Sequence, residues 1–138
     1  MSYTIGIDLG GSCVKAVAVT PDGKTLTKHN LPFDADADME WANRLRELVQ
    51  SIEKDQDGKP DNMGFSAPGL AAPDGSCITH MPVRLEGLVG LNWQKFFDFD
   101  KAIPVLNDGH AALLGEAWLG AAKGFQTVIL LTLGTGVG

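Results

Sequence analysis

The feature that most constrains this chain is a period-two apolar alternation broken by a glycine turn. Ile5, Ile7 and Leu9 alternate with Gly6 and Asp8, Gly10-Gly11-Ser12 interrupts, and Val14, Ala16 and Ala18 resume the pattern. Period two is that of a half-buried strand, so the stretch predicts a β-hairpin. Glycines in its turn allow positive φ and bring backbone N–H groups close to a ligand. A second turn, Pro21-Asp22-Gly23, leads to Thr25, Leu26, Thr27 and Leu31. Residues 3–32 therefore predict a three-stranded antiparallel meander. Its apolar face needs a cover. Ala42, Leu45, Leu48, Val49 and Ile52 fall at helical spacing after an acidic approach at 34–38. That predicts an amphipathic helix over 39–54, with Arg44, Arg46, Glu47 and Glu53 on the solvated face.

Beyond this unit, strand and helix signals alternate. A short strand is expected at 62–66, closed by Ala67-Pro68-Gly69, and another at 76–79 after Pro73-Asp74-Gly75. Residues 81–92 have no clear period, and Leu85, Leu88, Val89 and Leu91 are their apolar anchors. A short helix is expected at 93–99, with Trp93, Phe96 and Phe97 in the core. A buried strand follows at 103–106. A helix is expected at 108–122, with Ala111, Leu114, Trp118 and Ala121 or Ala122 on one face and Lys123-Gly124 ending it. Residues 125–133 read as an almost continuous apolar strand.

Composition narrows the function classes. The 138 residues suffice for one domain, and the charge of −6 argues against a basic nucleic-acid footprint. No apolar run is long enough for a membrane span, and the N-terminus lacks a signal-peptide pattern. Cys13 and Cys77 have no metal-ligand spacing and read as reduced thiols, which points to a cytoplasmic protein. No zinc site can be built from them and three scattered histidines.

Three stretches carry chemistry. Asp8, the glycine turn, Ser12 and Lys15 combine a carboxylate, backbone donors, a hydroxyl and a cation, which suit a phosphate with its magnesium ion. Helix and the GK[ST] ending are missing, so this is not a P-loop. Asn107-Asp108 stands where a buried strand meets a helix, a position at which open α/β sheets bind ligands. Asp108 reads both as the helix N-cap and as a general base toward a substrate hydroxyl. Residues 131–138 repeat the strand and glycine-loop logic with Thr135.

Taken together, these stretches resemble the actin-like ATPase superfold of sugar kinases, and more narrowly the ROK family (repressors, open reading frames and kinases). Residues 5–15 are similar to its first phosphate motif, 64–69 to its Pro-Gly sugar-side loop, 107–116 to its Asn-Asp motif and 132–138 to its second phosphate motif. The resemblance implies a ribonuclease-H-like α/β fold, a three-stranded antiparallel meander followed by parallel strands with flanking helices. It implies phosphoryl transfer from ATP or polyphosphate to a hexose. Asp108 would be the catalytic base. Gly69, Asn107 and Asp108 would face the sugar, and Asp8 would help hold Mg2+. Gly10, Gly11, Ser12, Lys15, Gly134, Thr135 and Gly136 would hold phosphates. Glu116 would be structural. Asn92 lies in the segment that often carries a sugar-contacting asparagine. His110 stands where many members have Asn or a small residue.

The family continues into a second lobe with further sugar and nucleotide residues. On this reading, residues 1–124 are an N-terminal lobe and 125–138 the first strand and glycine loop of the second. The chain alone is then expected to be inactive, and the second reading is a non-catalytic sugar-binding or dimerising module of the same fold. An uncovered apolar strand at 125–133 is expected to pair with another copy, giving a homo-oligomer. No partner nucleic acid or membrane is expected.

Overall fold

The computed structural model describes residues 1–81, 85–133 and 138. Strands β1 (Thr4–Leu9), β2 (Cys13–Val19) and β3 (Thr25–Pro32) form the expected meander. Helix α1 (Glu40–Asp55) follows, then β4 (Asn62–Ala67), β5 (Leu70–Ala71) and β6 (Ile78–His80). Helix α2 (Trp93–Phe97), strand β7 (Val105–Asn107) and helix α3 (Asp108–Leu119) complete the order.

The main sheet has the order β3-β2-β1-β4-β7. Its meander pairs are antiparallel, and β1–β4 and β4–β7 are parallel. The sequence expectation of a meander joined to parallel strands and flanking helices is met. Strands β5 and β6, of which the sequence reading had only β6, form a separate two-stranded sheet.

Alternation decides which face is which. Ile5, Ile7, Leu9, Met63, Phe65 and Ala67 are buried on the face that α1 covers. Helix α1 contributes Trp41, Leu45, Leu48 and Ile52, all essentially inaccessible, and each such side chain is stabilised by roughly 1.5–3 kcal/mol. Trp93 stacks on Phe65 at 4.1 Å and meets Trp41 edge-on at 6.2 Å. The aromatic residues of 93–99 are thus partly core, as expected. The Trp41 indole also donates to the Glu86 carbonyl oxygen at 3.1 Å, tying the irregular 85–91 segment to α1. Within that segment Leu85 and Leu88 are buried, whereas Val89 is exposed.

The acidic approach to α1 does not cap it by its own carboxylates. Met39 occupies the N-cap at φ 52° with no side-chain hydrogen bond. Instead the Glu40 carboxylate reaches back to accept from the Asp34 N–H at 2.9 Å.

The other face of the sheet carries Gly6, Asp8, Lys15, Val17, Gly64 and Ser66. Helix α3 crosses it, from the end of β7 to the turn between β2 and β3, where Leu119 packs against Gly23. Between helix and sheet lies a cavity of about 640 Å³, lined by residues such as Asp8, Lys15, Val17, Ser66, Leu106 and Leu114.

Three expectations are corrected here. Helix α3 ends at Leu119 with Gly120 as its C-cap, not at Lys123-Gly124. The Glu116 carboxylate accepts from the Ala121 N–H at 2.7 Å and so closes the helix early. None of its residues is buried, because the helix spans a cavity; Leu114 and Trp118 are exposed, and Ala122 just beyond it is buried. Finally, no strand element is described within 125–133. Phe125, Ile129, Leu131 and Leu133 are 70%, 86%, 68% and 80% exposed. A strand needs a hydrogen-bonding neighbour, and this segment joins neither edge of the five-stranded sheet. Thr132 and Gly138 do exchange backbone hydrogen bonds of 2.6 and 2.9 Å.

Candidate active site

Parallel pairing brings three strand ends to one edge of the molecule. Asp8 on β1 lies directly across from Ser66 on β4, and Ser66 across from Leu106 on β7. Asp108 follows Leu106 by two residues. Adjacent strands are about 4.8 Å apart, so Asp8 and Asp108 stand at the same end of the sheet, two strand spacings from one another. This is the location at which open parallel sheets bind ligands.

Asp8 is exposed, and its Oδ1 accepts a 2.6 Å hydrogen bond from the Ser66 hydroxyl. Lys15, also exposed, faces Asp8 from the antiparallel side. The turn between them is tighter than expected. The Gly10 N–H donates to the Cys13 carbonyl oxygen at 2.9 Å, so that donor is committed within the hairpin. Gly10 and Gly11 are not among the glycines at positive φ. The expectation of positive φ at this turn is therefore corrected: the Gly10–Cys13 bond closes it without a left-handed residue. Gly11 and Ser12 are exposed at its tip, and the Ser12 carbonyl oxygen accepts from the Phe33 N–H at 3.0 Å.

At the other strand end, Asn107 rather than Asp108 is the N-cap of α3. Its Oδ1 accepts from the Gly109 N–H at 3.0 Å. The expectation that Asp108 caps the helix is corrected, because Asn107 reaches the same amide from one residue earlier. Asp108 occupies the first helical position, exposed, with its Oδ1 also 2.8 Å from the Gly109 N–H. The Asn107 Nδ2 donates to the Gly69 carbonyl oxygen at 2.8 Å. Gly69 has φ 102°, and a Cβ there would stand 2.3 Å from the His80 carbonyl oxygen. Only glycine fits this bend.

Other predicted residues lie elsewhere. Asn92 caps α2 by accepting from the Lys95 N–H at 2.9 Å. His110 is exposed on the first turn of α3. Cys13 and Cys77 are free thiols. Gly134, Thr135 and Gly136 lie outside the described residues. Sequence reasoning did not single out Ser66, although its place four residues after Asn62 in an alternating strand puts it on the same face as Gly64. Among the described residues, no group of three or more His, Cys, Asp or Glu side chains could hold a metal ion, and no helix is long and apolar enough to cross a membrane.

Comparison with known proteins bears on this geometry. The ROK family model matches residues 4–138. A glucokinase from Halalkalibacterium halodurans is 31% identical over 99% of this chain, which spans 42% of that relative's length. The inorganic polyphosphate/ATP-glucomannokinase from Arthrobacter sp. strain KM superposes with a TM-score of 0.81 at 25% identity, over 100% of this chain and 57% of that one. A ROK family glucokinase from Streptomyces griseus, in complex with glucose and AMPPNP, gives a TM-score of 0.82 at 24% identity, over 99% of this chain and 43% of that one. The fold is thus that of the actin-like ATPase kinases, and the chain spans less than half the length of the curated relative it matches.

Proposed function

The chain belongs to the ROK family, and on that premise we propose that it serves as the N-terminal lobe of a sugar kinase, which transfers a phosphoryl group from ATP or polyphosphate to a hexose hydroxyl. The observation that carries this reading is that Asp8, on β1, and Asp108, just past β7, stand at the same end of the parallel strands β1, β4 and β7. The names of the relatives support it: one similar protein is a glucokinase and another uses polyphosphate or ATP.

Each residue has a task that its position allows. Asp108 is exposed and free to accept the proton of a sugar hydroxyl as it attacks. Asn107 and Gly69 form the floor beside it, held together by their 2.8 Å bond. Gly11, Ser12 and Lys15, the exposed members of the hairpin, steady the phosphates, and Gly10 closes the turn that presents them. Gly134, Thr135 and Gly136 complete the phosphate contacts. Such transfer depends on positioning and charge stabilisation more than on covalent chemistry.

The residues fit a magnesium ion that arrives with its phosphates. Mg2+ is commonly bound through one or two carboxylates plus phosphate and water, and Asp8 offers one exposed carboxylate with a fixed oxygen. When bound, the ion supplies charge neutralisation on the phosphoryl group.

The exposed apolar residues at 125–133 favour a second reading, a non-catalytic sugar-binding or dimerising module. Calorimetry with glucose and with magnesium–ATP separates the two. The kinase reading expects both to bind the chain, and phosphoryl transfer when the chain is fused to the C-terminal half of the Halalkalibacterium glucokinase. Sugar binding without nucleotide binding selects the module, and binding of neither ends both readings.

A further inference from the structure

We propose that Ser66 is a positioning residue for Asp8, fixing the carboxylate that meets the metal–nucleotide; this role rests on the sugar-kinase reading above. The Ser66 hydroxyl has one proton, and it is donated to Asp8 Oδ1 at 2.6 Å. That fixes the carboxylate plane and leaves Oδ2 with both of its lone pairs open to a cation. The contact is set by the sheet. Asp8 and Ser66 are direct partners in the parallel β1–β4 ladder, and Asp8 and Lys15 are direct partners in the β1–β2 ladder. Hydroxyl, carboxylate and ammonium thus form one row across three strands, and Asp8, Lys15 and Ser66 line the same cavity.

Alternation makes the row depend on register. Met63, Phe65 and Ala67 are buried in the core, so Gly64 and Ser66 must face the other way. A slip of one residue would turn Ser66 into the core and leave Asp8 without its donor. Asp8 is exposed, so without a fixed donor its carboxylate rotates among staggered rotamers. Groups that orient a metal-binding carboxylate typically change metal affinity by about 10–100-fold when removed.

The test uses the 138-residue chain with Ser66→Ala and Ser66→Thr. Three-bond couplings from NMR report the Asp8 side-chain rotamer in the ligand-free chain. One dominant rotamer is expected in the wild type, averaging in Ser66→Ala, and recovery in Ser66→Thr, which keeps the hydroxyl. Calorimetry then compares magnesium–ATP with ATP in EDTA. The preference for the magnesium form is expected to fall about tenfold in Ser66→Ala and to return in Ser66→Thr, with the EDTA affinity and the melting temperature nearly unchanged. A merely structural serine would shift melting and not the magnesium preference.

An Asp8 rotamer already averaged in the wild type, or unaltered by Ser66→Ala, overturns the proposal whether or not nucleotide binds. Where the wild type prefers magnesium–ATP, a rotamer change that leaves that preference unaltered also overturns it. A rotamer change in a chain whose wild type binds ATP with no magnesium preference sustains Ser66 as the orienter of Asp8 and counts against the kinase reading instead.

Discussion

Asn107 and Gly69 are joined by a 2.8 Å hydrogen bond from the side-chain amide to the backbone carbonyl, while the Asn107 Oδ1 caps α3 at 3.0 Å. One side chain therefore locks the bend after β4 to the start of the helix that carries Asp108. Removing it loses a cap and a half-buried bond, about 1 kcal/mol each. Asn107→Ala is expected to lower stability by about 2 kcal/mol in chemical denaturation. Asn107→Asp, which keeps the capping oxygen, is expected to lose about half as much. Equal losses in the two variants would mean that the link to Gly69 contributes nothing.

Gly69→Ala is expected to be costly for a different reason. Its φ of 102° is a glycine conformation, and the added methyl would stand 2.3 Å from the His80 carbonyl oxygen. Strain at such positions is about 1–3 kcal/mol before the clash is counted. Thermal melting checks this against Gly115→Ala, where a Cβ meets nothing within 4 Å. A similar melting temperature for the two variants would show that the bend relaxes.

Asp108→Asn is expected to abolish phosphoryl transfer by the fused kinase while leaving the melting temperature within about a degree. The side chain is exposed, and Asn107 supplies the α3 cap. Unchanged turnover in the radiolabelled-ATP assay would remove Asp108 from the role of base.

Residues 125–133 are expected to drive self-association. Four large apolar side chains there are more than two-thirds exposed, and contiguous apolar surface of that kind marks interaction sites. Light scattering over rising concentration should show growing mass in the wild type and a monomer in the Ile129→Asp/Leu131→Asp double variant. A monodisperse wild type at all concentrations contradicts the expectation.

Acid sensitivity should involve the turn of β2 and β3. The Thr20 hydroxyl bonds Asp22 and holds its carboxyl below the usual carboxylate range. Ser76 likewise holds Asp74 below that range, its backbone N–H donating to Asp74 Oδ1 at 2.9 Å. Both groups bind protons less readily folded than unfolded, so their contribution is full above the usual carboxylate range and is lost as pH falls through the folded value. Thr20→Val should therefore narrow its stability gap from the wild type as pH is lowered from neutral to below about 4. A gap that widens on acidification would reverse the assignment.

The sequence by itself determined the local units of this protein. Alternation across Ile5, Ile7 and Leu9 and helical spacing from Ala42 to Ile52 are written in nearest neighbours, so the meander and α1 were legible within a residue or two. The family motifs marked Asp8 and Asp108 as well. What only the tertiary structure decided is who stands beside whom. Ser66 meets Asp8 because parallel strands β1 and β4 align across 58 positions of chain, and no local pattern encodes that register. Asn107 took the cap from Asp108 because Gly69 holds its amide in place. An apolar run at 125–133 carries strand propensity, but a strand exists only through its neighbour's hydrogen bonds, and propensity alone does not supply the neighbour.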